Sequence, residues 1–129
     1  MVLTLEAGRA AAGREAWEEA RKTLTEADGE EPLAPADLEL LADAAWWTGN
    51  PDESVDALER AFNGYTGADM PIDAARVAVL LAYLATRRLA QSVANGWRAR
   101  AVRLLEGQPE STAHASLKVM EVLEAITMR

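Results

Sequence analysis

Few residues in this chain can do chemistry, and their types restrict it sharply. There is no cysteine, and His114 is the single histidine. Disulfides, thiolate nucleophiles and thiolate zinc sites are excluded, as is any site built from two imidazoles of one chain. His114 has Glu110 one turn before it and Ser111 and Thr112 beside it. That is no base–nucleophile arrangement of the kind acid–base catalysis uses, and it reads as a histidine at a helix start. Glu15, Glu18 and Glu19 are closely spaced carboxylates. A hard cation wants oxygens converging from a loop or several helices, so they read as a solvated face. The glycine-containing stretches GREAW and GADMP lack the Lys-Ser/Thr and the preceding strand of a phosphate loop. The expectation is a protein that is not an enzyme, with no cofactor and no metal.

Two surfaces remain that could recognise something. Trp46 and Trp47 are adjacent, with Asp43 and Glu39 one and two turns before them. One helix face cannot bury both indoles. They could offer aromatic area and carboxylates to a basic or amphipathic peptide. Alternatively one packs in the core and a neighbouring hairpin shields the other, and burial of at least one is expected. The second surface is basic: Arg87, Arg88, Arg98, Arg100 and Arg103. Lysines are few, aromatic interleaving is slight and the rest of the chain is acidic, which argues against nucleic acid. A solvated helix face is expected, able to meet an acidic surface such as residues 26–43 through a head-to-tail or domain contact.

The chain of 129 residues suits one domain with a core of its own. Half of its residues are hydrophobic but only 5% are aromatic, an Ala/Leu composition suited to closely packed helices. The net charge of −8 repels nucleic acid and anionic membranes. It is unevenly spread: residues 1–73 hold 17 acids and 5 bases, whereas residues 74–129 hold 4 acids and 8 bases. The start, MVLTLEAGR, has no basic segment followed by an apolar one. The most apolar run, Ala74–Ala85, contains Arg76 and is too short to span a bilayer. No membrane association and a cytoplasmic location are expected.

Apolar spacing and punctuation define seven helices. Residues 2–12 make a weak helix in which Gly8 and Gly13 permit a close neighbour. Residues 14–28 make a second, with Ala16, Trp17, Ala20, Leu24 and Ala27 inward and a Glu18–Lys22 pair on its surface. A third, beginning near Pro35 and ending near Thr48, carries Leu38, Leu41, Ala42 and Ala45 at i, i+3, i+4 and i+7. Gly49 closes it, Pro51 opens the fourth, and Asn50 with Glu53 gives a capping-box-like start. The fourth buries Val55, Leu58, Ala61, Phe62 and Tyr65. Residues 71–88 are apolar all round, so this helix should be buried all round, with Val79 and Tyr83 available to a groove. Residues 89–106 turn Val93, Trp97, Ala101, Leu104 and Leu105 inward, and Gly96 suggests a close crossing. The last helix, 111–128, has two apolar lines, one through Ala113, Leu117 and Met120 and one through Val119, Val122 and Ile126. Such a face is wider than one neighbour needs.

The chain also repeats itself. Between the similar stretches Glu15–Ala27 and Asn50–Phe62, Ala20, Leu24 and Ala27 match Ser54, Leu58 and Ala61, each 34 residues apart. This resembles the tetratricopeptide repeat (TPR), a helix–turn–helix unit of that length. The resemblance matches Leu38, Leu41, Ala42 and Ala45 to the first-helix core, Gly49 to the turn, and Ser54, Leu58 and Ala61 to the second helix. The family's first-helix Tyr is here Ala45, its terminal Pro is Thr66, and RRLAQSVANG carries an insertion. Stretches such as AAWWTGNPDESVDALERAF, VANGWRARAVRLLEG and PESTAHASL also look like helical-repeat regions of actinobacterial LuxR-type regulators and of proteins with class III nucleotide cyclase domains. The resemblances imply an all-α, TPR-like superhelix of about seven helices, three hairpins and a terminal one, forming a single domain over 1–129. They place Glu39, Asp43, Trp46 and Trp47, with Val79 and Tyr83, along its concave groove. They imply an interaction scaffold or regulatory domain whose partner is a protein, a peptide or other domains of a longer chain, with a homodimer as a further possibility. The alternative is a small-molecule-sensing domain with its pocket between the 71–88 helix and the tryptophans.

Overall fold

The computed structural model describes residues 2–127, without the side chains of residues 2, 112 and 121–127. The described residues are all-helical and contain no strand. The helices are α1 (Val2–Gly13), α2 (Trp17–Glu30), α3 (Pro35–Trp47), α4 (Pro51–Gly67), α5 (Pro71–Arg87), α6 (Gln91–Leu105) and α7 (Thr112–Thr127). None is long and apolar enough to cross a membrane.

Punctuation explains the boundaries. Pro35, Pro51 and Pro71 each open a helix, where a missing N–H costs nothing. Four helices end in one hydrogen-bond pattern, in which the left-handed residue donates its N–H three residues back and the next donates five back. After α1, Glu15 bonds Ala12 and Ala16 bonds Ala11. After α3, Gly49 bonds Trp46 and Asn50 bonds Ala45. After α4, Asp69 bonds Thr66 and Met70 bonds Tyr65. After α5, Leu89 bonds Thr86 and Ala90 bonds Ala85. Glu15 and Gly49 lie 34 residues apart, the same offset as the core positions, so the internal repeat extends to the backbone of its turns.

Only Gly49 suits that conformation. Glu15, Asp69 and Leu89 hold φ of 59°, 56° and 60°. Leu89 is also 91% exposed, so its side chain gains nothing from the site. Leu89→Gly should therefore raise stability by about 1 kcal/mol, visible as a higher midpoint in urea, because it relieves left-handed strain without losing packing.

The turn at Glu15 also corrects a boundary. Arg14 and Glu15 lie in the turn, and α2 begins at Trp17. Glu18 pairs with Arg21 at 3.5 Å rather than with Lys22. The capping box at α4 is replaced: the Asn50 amide donates back to the Thr48 carbonyl and hydroxyl, and Glu53 accepts two hydrogen bonds from Arg21.

The chain forms two compact units, Met1–Gly64 and Tyr65–Arg129. In the first, Leu24 is fully buried, surrounded by a core of Ala11, Ala20, Ala42, Ala45, Leu58 and Ala61. Gly8 lets α1 lie directly on Leu24. Gly13 has no such neighbour. Ser54, also buried, donates its hydroxyl to the Ala42 carbonyl at 2.8 Å and so ties α4 to α3. Besides Arg21 on Glu53, two more forked ion pairs lie in the unit, Arg9 on the buried Asp37 and Arg60 on Asp28. Asp28 also accepts the Leu33 N–H.

The Arg60 hydrogen bonds, helped by the Leu33 N–H, hold the Asp28 carboxyl below its usual range against the opposing effect of burial. A carboxylate with a depressed folded pKa stabilises the fold fully above its unfolded value, near pH 4, and that contribution is lost as pH falls through the folded value. Asp28→Asn should cost about 1 kcal/mol at pH 7, a figure kept small because Arg60 is 39% exposed. The cost should shrink toward pH 2, so urea midpoints of variant and parent should converge there.

In the second unit α5 is the hub, with α6 and α7 both packed on it. Ala74, Ala75, Val77, Ala78, Val79, Leu81, Ala82, Leu84 and Ala85 are buried. It is not buried all round, however. Leu80 and Tyr83 are 39% and 44% exposed, because two neighbouring helices cover only part of its circumference. Val93, expected inward, is 54% exposed, and α6 buries Ala94, Ala101 and Leu105 instead. Gly96 has open space beside it and marks no close crossing.

Candidate interaction surfaces

In the first unit, Glu39, Asp43, Trp46 and Trp47 fall within one arc of α3, while Leu38, Ala42, Ala44 and Ala45 are buried. Neither tryptophan is buried. Trp46 is 41% and Trp47 66% exposed, which corrects the expectation that at least one packs inside. The reason is size: the core here is closed by alanines, and an indole beside Ala45 has no vacancy to enter. Asp43 is reached by solvent yet crowded. Loss of hydration, and secondarily the Glu39 charge, push its carboxyl above the usual range. Among the described residues it has no ion-pair or hydrogen-bond partner. Of the helix's three acids, Glu39 and Asp43 lie on this face, while Asp37 is buried against Arg9. This face can therefore offer aromatic surface and negative charge together.

Val79 and Tyr83 belong to the second unit and line a different feature. It is an open trough of about 570 Å³ between α5 and α7. Val79 and Met120 are its buried floor, Leu80 and Val119 are exposed, and Ala115 and Ser116 form the α7 wall. Arg76 lies along it, with its guanidinium 6.0 Å from the Tyr65 ring centre and a 3.4 Å contact to Asp73. Arg87 hydrogen-bonds the Tyr83 hydroxyl at 3.3 Å. The trough is thus apolar inside and basic beside it. The α7 contribution was missed at the level of sequence, although the excess width of the α7 apolar face was its signal. Of the second apolar line on α7, Val119 is 59% exposed, while Val122 and Ile126 lie outside the described side chains.

The five arginines are carried by two elements. Arg87 and Arg88 sit at the end of α5. Arg100 stacks on Trp97, 4.3 Å from the ring centre. Arg98, hydrogen-bonded to Asn95 at 2.6 Å, and Arg103 flank Ala99 and Val102 on the outer face of α6, enclosing a shallow hollow of about 420 Å³. That helix carries bases and no acid.

His114 has a local role. Its Nδ1 accepts the Ser111 backbone N–H at 3.1 Å and lies 2.9 Å from the Ser111 hydroxyl. This closes the first turn of α7 as the distal arm of a capping box does. Among the described residues no group of three or more His, Asp or Glu side chains could hold a metal. A smaller hollow of about 230 Å³ near Leu5 and Leu33 is bordered by Arg9 and Asp37, whose charged groups already satisfy each other.

Compared with known proteins, the chain matches no family model, no curated protein and no solved structure.

Proposed function

We propose that this chain is a TPR-like helical interaction module, without catalytic activity, that binds an amphipathic helical segment of a protein partner in the α5–α7 trough. The observation that carries this reading is the trough itself: Leu80, Tyr83 and Val119 stand exposed over the buried Val79 and Met120. A helix with apolar residues at i, i+3 or i+4 and i+7 buries its stripe in such a groove. Carboxylates on the partner's flanks would face Arg76 and Arg87. An open trough favours an elongated polypeptide over an enclosed small molecule. The resemblance to repeat regions of regulators supports a partner that is either a separate protein or another segment of a longer signalling or transcription-regulating chain.

The test is fluorescence polarisation with labelled helical peptides carrying a leucine stripe flanked by glutamates, against the same peptides with lysine flanks. The glutamate series should bind more tightly. Leu80→Glu or Val119→Glu should weaken binding by about 30-fold, the effect of losing one central anchor of roughly 2 kcal/mol. Failure of all peptides, together with a saturable rise in melting temperature caused by a small metabolite, would replace this reading with a ligand-sensing one.

A further inference from the structure

Charge is partitioned between the two units in a way that the trough does not use. Met1–Gly64 holds 15 acids against 5 bases, and Tyr65–Arg129 holds 6 acids against 8 bases. Four of the five bases in the first unit, Arg9, Arg14, Arg21 and Arg60, already pair with its own carboxylates. The two outward faces described above concentrate this asymmetry: α3 has acids without a base, and α6 has bases without an acid. Each also has an apolar element that fits the other. On α3 it is the protruding pair Trp46 and Trp47, and on α6 it is the hollow whose floor is the small Ala99 and the 40% exposed Val102.

From this complementarity we infer that the α3 face bearing Glu39, Asp43, Trp46 and Trp47 docks onto the α6 face bearing Arg98 and Arg103 of a second copy of this chain. The arginines meet the carboxylates at the rim, and an indole fills the hollow over Ala99, where a guanidinium can also lie on its ring. Burial of tryptophan at the centre of a contact gives more binding energy than any rim charge pair. Asp43 gains the cationic partner that its own unit does not supply. The two faces are different surfaces of one molecule, so the contact is heterologous. It adds copies head to tail, unlike a two-fold dimer in which one patch meets itself.

The experiment is sedimentation of the full chain from about 10 to about 500 μM, in low and high salt. In low salt the weight-average mass should rise with concentration above the 13.9 kDa of the monomer, and high salt should return it there. The double variants E39K/D43K and R98E/R103E, checked for native helicity and melting temperature, should each be monomeric alone. Mixed in equal amounts they should assemble again, because the mixture restores one native acidic-to-basic contact and brings the two reversed faces together as a second complementary pair. Trp47→Ala, which changes no charge, should weaken assembly at least tenfold. A mass of 13.9 kDa at every concentration overturns the inference. So does assembly that persists in both charge variants. Assembly abolished by Leu80→Glu but untouched by E39K/D43K would also refute it, and would assign self-association to the trough, leaving the helix-binding proposal to stand or fall on its own peptide assay.

Discussion

Leu24→Ala is expected to destabilise the chain by about 3 kcal/mol, the cost of removing a fully buried leucine whose site cannot collapse. Among the described residues Leu24 and Val77 are the largest fully buried side chains. The surrounding alanines have no side-chain torsions with which to refill the space. Its neighbour makes a sharper test. A Cβ placed on Gly8 would sit 2.7 Å from Leu24 Cδ2 and 2.8 Å from its Cγ. Flexible leucine ends often yield to such a clash, but this one is enclosed on every side. Gly8→Ala should therefore cost about 1–2 kcal/mol, overpacking outweighing the gain in helix propensity. On the Leu24→Ala background the sign should reverse, since the added methyl then enters the cavity. A double-mutant cycle by urea denaturation measures that coupling, and additive effects would refute the contact.

Gly64→Ala should be similarly costly, for a different reason. Its Cβ would stand 2.5 Å from Cγ of Pro35, the residue that opens α3. A proline ring cannot rotate away, so α4 and α3 would have to separate. A loss of about 2 kcal/mol is expected, falling to near zero or becoming a gain when Pro35 is also alanine. Equal effects on both backgrounds would show that the two residues do not touch.

Much of this architecture could be read from sequence because proline and glycine mark where helices start and stop. Pro35, Gly49, Pro51 and Pro71 each sit where their backbone chemistry puts them. The turns at Glu15 and Leu89 were harder to place, since neither residue type announces a left-handed conformation. The 34-residue offset was the better guide to the first. Burial was legible where a stripe was narrow, as in Ala20, Leu24 and Ala27. It failed where a helix was apolar on all sides, because the sequence of α5 does not say how many neighbours it will have. Leu80 and Tyr83 are outside for that reason. Among the candidate surface residues, Glu39, Asp43, Trp46 and Trp47 share one face because helical spacing requires it. Val79 and Tyr83 line a trough whose other wall, α7, lies more than 30 residues further along the chain, and no local pattern encodes that pairing.

The distribution of fully fitted contacts has a mechanical consequence. Surfaces made mostly of methyl groups are smooth, so they offer little resistance to one helix sliding along another. In the first unit two pegs prevent it: Leu24 seated against Gly8, and the Pro35 ring seated against Gly64. Among the described residues of the second unit no glycine seats a side chain in this way, for Gly67, Gly96 and Gly107 all face open space. Shear between packed helices, a displacement of an ångström or two, meets no glycine-seated stop on the described part of the second unit. The wall spacing of the α5–α7 trough is the dimension that such sliding would change.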